Sequence, residues 1–359
     1  MSFWTDKNVL VTGATGLLGS HMVEELLARG AAPVCLVRDG VPRSLFHGRG
    51  LDRRCVSVQG QLEDYALLER VINEHEIEAV FHLGAQTIVG TAGRNPLSTW
   101  EANVRGSYNL LEACRRNERK VRRIVVASSD KAYGDQPVLP YTEESRLEGR
   151  FPYDCSKSCT DLIARCYFDS YQLPVCVTRC GNLFGPGDLN WNRIIPGTVR
   201  SVVRGERPLV RSDGTFVRDY VYVGDAVAAY LELAEQMDRP EVAGEAFNFS
   251  DERPQSVLDI VDRVLGHMDA RHLPPVILGE ASREIREQFL SSEKARRVLG
   301  WRPRHGLDEG LQRTIAWYRE LLGGGVTAVA IGGGGGFIGR AVARARRSIG
   351  DRVRSRRPV

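Results

Sequence analysis

Val9-Leu10-Val11-Thr12-Gly13-Ala14-Thr15-Gly16-Leu17-Leu18-Gly19 joins a short apolar run to a glycine-punctuated turn, and an amphipathic stretch from Ser20 to Arg29 follows, stopped by Gly30. Glycines at 13, 16 and 19 let the backbone turn tightly and approach a pyrophosphate, while the following helix offers amide N–H groups and a positive dipole end. Alone, such a spacing is weak evidence; between a strand and a helix it predicts a dinucleotide site. The pattern then repeats without the glycines. Val34-Cys35-Leu36-Val37, Val56-Ser57-Val58, Ala79-Val80-Phe81-His82-Leu83, Arg123 to Ser128 and Val175 to Arg179 read as strands. Helical stretches near 65–75, 99–117 and 154–171 separate or follow them. Apolar runs alternating with helices predict an α/β fold built on a doubly wound parallel sheet.

The second strand of such a fold ends on the group that reads the adenine ribose. A carboxylate there accepts from the 2′-hydroxyl, and an Arg suits a 2′-phosphate. This chain offers both, as Val37-Arg38-Asp39. Arg38 points to NADP and Asp39 to NAD, and the choice stays open at this level.

Ser128-Ser129-Asp130-Lys131-Ala132-Tyr133-Gly134 and Tyr153-Asp154-Cys155-Ser156-Lys157 carry the chemistry. Tyr153 and Lys157, four apart on a helix, lie on one face. An ammonium there is expected to lower a phenol from its usual ~10 towards neutrality. The resulting base takes a proton from a sugar hydroxyl while a hydride leaves the same carbon. Asp130 and Lys131 add an acid and a base, more proton-transfer groups than a plain dehydrogenase or epimerase needs. The bland alternative for that pair is a surface ion pair in a loop.

Bulk properties narrow the class. At 42% hydrophobic and 26% charged, the chain has ordinary globular composition, and no run of 18 apolar residues marks a membrane span. The N-terminus leads straight into a strand-like run and lacks signal-peptide architecture. Eight cysteines without a C-x-x-C pair read as reduced, mostly buried thiols of a cytoplasmic protein, and no metal site is expected. The net charge of +4 misleads, because residues 340–359 hold eight Arg and one Asp. The remainder is mildly acidic, which gives no support to nucleic-acid binding. We read residues 1–182 as a dinucleotide-binding domain to which 219–240 returns, 183–218 and 241–322 as a smaller mixed substrate-binding lobe, and 323–359 as a Gly/Arg-rich extension. Gly333, Gly336 and Gly339 repeat the first glycine spacing, but too little chain follows to build another strand–helix–strand unit.

Taken together these segments resemble the extended short-chain dehydrogenase/reductase family, and more narrowly the nucleotide-sugar 4,6-dehydratases of the CDP-glucose type. The resemblance covers roughly residues 3–318. It also rests on Phe81-His82-Leu83-Gly84-Ala85-Gln86, Asn103-Val104-Arg105-Gly106-Ser107, Thr178 to Asp188, Arg193-Ile194-Ile195-Pro196, Arg218 to Asp225 and Lys294 to Trp301. It implies a Rossmann sheet and an NDP-hexose substrate, handled with a retained and recycled NAD or NADP. One departure stands out. Where the family carries Gly-Asp before Ile or Leu, this chain has Gly60-Gln61-Leu62, an amide in place of the carboxylate expected beside adenine.

The same resemblance assigns roles. Gly13, Thr15, Gly16, Leu17, Leu18, Gly19, Arg38, Asp39, Gln61, Leu62, Leu83, Ala85, Asn103, Tyr153 and Lys157 are expected along the cofactor. Gln86, Ser129, Asn182, Arg193 and Arg218 are expected on the substrate, with Arg286 a weaker candidate. Tyr153, helped by Lys157 and Ser129, oxidises C4; Lys131, desolvated and neutral, takes the C5 proton; Asp130, kept protonated by burial, donates to the departing 6-hydroxyl. The Asp130-Lys131 pair resembles the CDP-glucose enzymes, whereas dTDP-glucose and GDP-mannose dehydratases usually carry Asp-Glu there. A 4-epimerase, or another enzyme working through a 4-ketone, is the alternative, and a non-catalytic dinucleotide sensor is the remoter one. The resemblance also implies a homodimer, paired through the helices near 99–117 and 154–171.

Overall fold

The computed structural model describes residues 2–280 and 284–323. The repeated glycine spacing and the Arg-rich stretch of the extension lie outside the described residues. Seven parallel strands form the central sheet: β1 (Asn8–Thr12), β2 (Ala32–Val37), β3 (Val56–Gln59), β4 (Ala79–His82), β5 (Arg123–Ala127), β6 (Val175–Cys180) and β7 (Ala246–Phe249). Their order is β7-β6-β5-β4-β1-β2-β3, so the winding reverses between β1 and β4. Ligands of such sheets bind in the crevice outside the carboxyl ends at that reversal.

Alternation along each strand explains why the sheet is covered on both sides. Val9, Val11, Cys35, Phe81 and Val125 pack on one face against α1 (Leu17–Ala28) and the helix Val223–Glu235. Leu10, Val34, Leu36, Val80 and Ile124 pack on the other, against the helices Tyr65–Glu74 and Gly106–Arg116. Asp64 starts the third of these helices by accepting the Leu67 amide at 3.0 Å.

Two details differ from the sequence reading. Ala246–Phe249, assigned there to the lobe, is the edge strand β7, registered against Val177–Cys180 of β6. Phe247 and Phe249 are fully buried on it, and that burial draws the segment back to the sheet. The stretch read as one helix over 99–117 is Pro96–Thr99, a π turn at Trp100–Arg105, and then Gly106–Arg116. The π turn places Asn103 at 1% exposure beneath the crevice; widened turns of this kind recur at functional sites.

The remaining elements gather around smaller cores. The helices Ile194–Val203, Val257–His267 and Leu307–Gly323 pack on Phe184, Tyr220 and Tyr222. Short strands tie this part together, among them Val217–Arg218 paired in parallel with Glu287–Gln288.

Candidate active site

At the end of β1 the glycine turn has the shape a pyrophosphate requires. Gly13 has φ +73°, and a Cβ there would lie 2.8 Å from the Gly84 backbone. A Cβ on Gly19 would lie 2.0 Å from the Gly13 carbonyl oxygen. Gly16 caps α1 with no side chain to satisfy the first amides of the helix, so those donors face the crevice for an anion. Thr15, Leu17 and Leu18 line the same turn, half-buried. The residues present therefore fit a dinucleotide.

Beneath the turn runs a buried chain of hydrogen bonds. Thr12 Oγ1 accepts from the Leu83 and Gly84 amides at 3.1 and 2.9 Å, so its own proton goes to His82 Nδ1 at 2.9 Å. His82 Nε2 then donates to Ser107 Oγ at 3.0 Å, and Ser107 donates to the Asn103 carbonyl at 2.5 Å. Burial pulls the His82 imidazole down to about 3, which keeps it neutral and the chain in this sense.

Asn103 is fully used by the protein. Its Oδ1 accepts the Gln86 amide at 2.7 Å, and its Nδ2 donates to the Gln86 carbonyl and to Ser156 Oγ at 3.1 and 2.9 Å. Gln86 turns its side-chain oxygen to the Ile88 amide at 2.8 Å. Asn103 thus shapes the wall rather than presenting a free amide. Leu62 is buried against Gly84 and Gly106, Leu83 and Ala85 are half-buried, and Gln61 is exposed. Arg38 Nε donates to Asp39 Oδ2 at 2.6 Å, with both side chains more than half exposed.

The acid–base cluster sits at the end of β5. Ser129 Oγ accepts the Lys131 amide at 3.2 Å and donates to Asp130 Oδ1 at 2.9 Å. Asp130 is 3% exposed, and its Oδ2 is buried with no hydrogen-bond partner among the described residues. Lys131 Nζ donates to Gln288 Oε1, and Gln288 Nε2 donates to the Asp130 carbonyl at 2.9 Å. Burial pulls the Lys131 amine below its ordinary range, opposed by the Asp130 charge and reinforced by Arg218. These surroundings exclude the bland reading of a surface ion pair.

Helix Pro152–Tyr171 brings Tyr153 and Lys157 to the same place, but not as the spacing alone suggests. Burial pushes the Tyr153 phenol up to about 12, with the Ser129 hydroxyl opposing. The Lys157 ammonium donates to the Ala127 carbonyl at 2.7 Å, and burial pulls it down to about 8. The expectation that Lys157 lowers Tyr153 is therefore corrected: within the protein's own field, desolvation of the phenol outweighs a cation that is turned to a backbone carbonyl.

A cavity of about 240 Å³ opens beside the cluster, lined among others by Lys131, Asp154, Asn182, Arg193, Arg218 and Glu284. The expected substrate residues Asn182, Arg193 and Arg218 thus meet in the lining of one cavity. Arg218 is strapped there by its own donors, Nη1 to the Val217 and Arg286 carbonyls at 2.7 and 2.9 Å and Nη2 to Ile285. Arg193 Nη1 pairs with Asp188 at 3.1 Å. Arg286 pairs with Asp213 at 3.1 Å and is not among the lining residues.

Sequence reasoning missed two residues. Gln288 sits on a two-residue strand, and no motif marks it. Asp154 reads as an ordinary acidic residue in a first helical turn, yet it is 5% exposed and burial pushes its carboxyl up to about 6.

Comparison with known proteins agrees with this fold. Residues 9–249 match the family described as NAD dependent epimerase/dehydratase family. The chain is 31% identical to the CDP-glucose 4,6-dehydratase of Salmonella typhimurium, over 90% of this chain and 93% of that protein. It is similar, with TM-score 0.80 and 29% identity, to DesIV, the dTDP-glucose 4,6-dehydratase of Streptomyces venezuelae solved with NAD bound, over 88% of this chain and 98% of that one. The UDP-glucose 4-epimerase of Thermotoga maritima, solved with UDP-glucose, gives TM-score 0.80 and 29% identity over 88% and 99%.

Proposed function

This chain belongs to the NAD dependent epimerase/dehydratase family, and on that footing we propose that it is a nucleotide-sugar 4,6-dehydratase. It converts an NDP-hexose, of which CDP-glucose is the first candidate, to the NDP-4-keto-6-deoxyhexose. The observation that carries this reading is the Ser129–Asp130–Lys131 turn beside Tyr153, with Asp130 buried and Lys131 lining the cavity, an acid and a base more than a 4-epimerase needs.

NAD, when bound, supplies a hydride acceptor that is restored within each turnover, together with a positively charged ring. Gly13, Gly16 and Gly19 hold its pyrophosphate and Asp39 takes the adenosine ribose. Arg38, already neutralised by Asp39 at 2.6 Å, favours NAD over NADP.

The remaining work falls to side chains of this protein. Ser129 hydrogen-bonds the 4-hydroxyl, and Tyr153 receives its proton as the phenolate, a form that burial disfavours in the protein alone and that the positive ring of a bound NAD would favour. The C4 ketone acidifies the neighbouring C5–H. Lys131, with its amine desolvated, takes the C5 proton; the released electron pair forms the C5–C6 double bond as the C6–O bond breaks. Asp130 gives its proton to the departing hydroxyl, which leaves as water. Lys131 then returns a proton to C5 as C6 is reduced. Asn182, Arg193 and Arg218 grip the diphosphate from the cavity wall.

We place the enzyme in the cytoplasm, a reading supported by eight cysteines that are all free thiols; no helix among the described residues is long and apolar enough to cross a membrane. A homodimer is proposed as well. Leu97, Tyr108 and Leu162 are 66, 42 and 58% exposed on Pro96–Thr99 and the two long helices, an apolar face suited to a second copy.

Incubation of the purified protein with a panel of nucleotide hexoses, read by mass spectrometry, tests the assignment. Loss of one water from the sugar nucleotide is expected. An unchanged mass with a new sugar would make it an epimerase, and tight cofactor binding without turnover would make it a sensor.

A further inference from the structure

Asp154 has no part in the steps above, yet its surroundings are unusual for a surface carboxylate. It belongs to the first turn of helix Pro152–Tyr171, where a charged side chain ordinarily reaches solvent. Here it is 5% exposed and lines the same cavity as Lys131. Neighbouring buried acids have donors of their own. Asp130 takes the Ser129 hydroxyl at 2.9 Å, and Asp219 takes the Leu290 amide at 3.1 Å as well as Ser250. No donor among the described residues hydrogen-bonds the Asp154 carboxylate.

Buried acids without donors keep their charge when a cation is close by. The groups acting on Asp154 are Lys131, which favours its ionised form, and Asp130, which opposes it. The groups acting on the Lys131 amine are Asp130, Asp154 and Glu284, which hold its titration up, and Arg218, which lowers it, while Gln288 accepts its hydrogen bond.

We propose that Asp154 is a positioning residue for water loss: while Asp130 still holds the proton destined for the departing hydroxyl, Asp154 supplies counter-charge to the ammonium formed on Lys131 as C5 gives up its proton. The inference rests on the dehydratase reading and deepens it at one atom. The C5–H bond breaks, its proton goes to Lys131 Nζ, and the new charge is met by a carboxylate already in the cavity wall. Once C5 is reprotonated from Nζ, Lys131 and Asp154 return to their starting states, so no further reactant is needed. Removing the carboxylate lets the amine titrate at lower pH and makes it a weaker base.

Competitive acetylation of the full-length protein with acetic anhydride across a pH series, read at the Lys131 peptide by mass spectrometry, gives the titration midpoint of that amine. Asp154→Asn should lower the midpoint by about 1 unit, while Asp154→Glu, which keeps the charge, should restore it. The Lys294 peptide in the same digest reports whether the fold is intact, since Lys294 is tied to Glu245 at 2.7 Å. The rising limb of the pH profile for water loss should move down by the same amount in Asp154→Asn. Coincident midpoints in Asp154→Asn and the unaltered protein would overturn the proposal. A midpoint that moves while the profile of water loss stays fixed would uphold the pairing and instead overturn Lys131 as the base.

Discussion

Gln288 lies opposite Arg218 in the parallel pairing of Glu287–Gln288 with Val217–Arg218. One short ladder therefore joins the Arg218 cation of the cavity lining to the amide that holds both Lys131 and the Asp130 backbone. The side chain proposed to grip one end of the substrate and the groups proposed to act on the sugar are registered to each other through two residues of backbone. A pair of long-range contacts, 157 and 158 residues apart in sequence, does the positioning.

Gln288→Leu removes the acceptor from Lys131 Nζ and the donor from the Asp130 carbonyl while filling the same space. A buried polar group left without its partner costs ~1–3 kcal/mol, which corresponds to roughly 5- to 150-fold in rate. Water loss should slow within that range, with NAD affinity unchanged, since Gln288 touches none of the glycine turn. Stopped-flow measurement of each half of the reaction, with a cofactor titration, checks both expectations.

Lys131→Ala separates oxidation from elimination. Tyr153 and Ser129 still meet the 4-hydroxyl, so a transient of reduced cofactor absorbance is expected. Without the base, water loss should fall by ~10²–10⁴-fold. Solvent deuterium should also cease to enter at C5, a readout that distinguishes loss of the base from a general loss of activity. Normal dehydration by this variant would remove Lys131 from the role given to it.

How far the residues announced this site varies with the kind of information. The strands and the glycine turn are local patterns: apolar runs such as Val9–Val11 and glycines at fixed spacing carry them within a dozen residues. Tyr153 and Lys157 share a face because helical geometry demands it, but burial decides their titration, and spacing says nothing about burial. Asp154 looks like a helix-end acid until the fold buries it in the lining of the cavity. Gln288 acquires its role from a contact made across the chain, and β7 is recognised as a sheet strand only once Phe247 and Phe249 are seen buried in the core. The π turn at Trp100–Arg105 depends on hydrogen-bond register, which composition does not encode.

The neutral His82 makes the fold acid-sensitive in a defined window. Its folded value is about 3 against the ordinary 6.5, so between those limits the unfolded chain binds a proton that the folded chain refuses. Stability contributed by the neutral ring is present above about 6.5 and is lost progressively as pH falls towards 3. His82→Gln keeps one acceptor for Thr12 and one donor for Ser107 without a titrating ring. Its stability should fall less steeply through that window, by up to ~1.4 kcal/mol per pH unit. Urea denaturation midpoints across the pH series measure the difference in slope.

Cofactor choice should turn on a single contact. Arg38 Nε is occupied by Asp39 Oδ2 at 2.6 Å, and both groups are exposed at the end of β2. An exposed pair of this kind is worth ~0–1 kcal/mol to the fold, so Asp39→Ala is expected to leave the melting temperature nearly unchanged. Its effect on binding is larger and of opposite sign for the two dinucleotides. NAD loses the acceptor for its 2′-hydroxyl, while a 2′-phosphate gains an Arg38 guanidinium free to make charge-assisted hydrogen bonds. With ~1.4 kcal/mol per tenfold change, loss of one bond and gain of another should move the NADP to NAD affinity ratio by ~10- to 100-fold towards NADP. Calorimetric titration of both dinucleotides against the two proteins measures that ratio directly. An unchanged ratio would mean that the ribose is read by a residue other than Asp39, and Gln61, exposed at the end of β3, is the next to substitute.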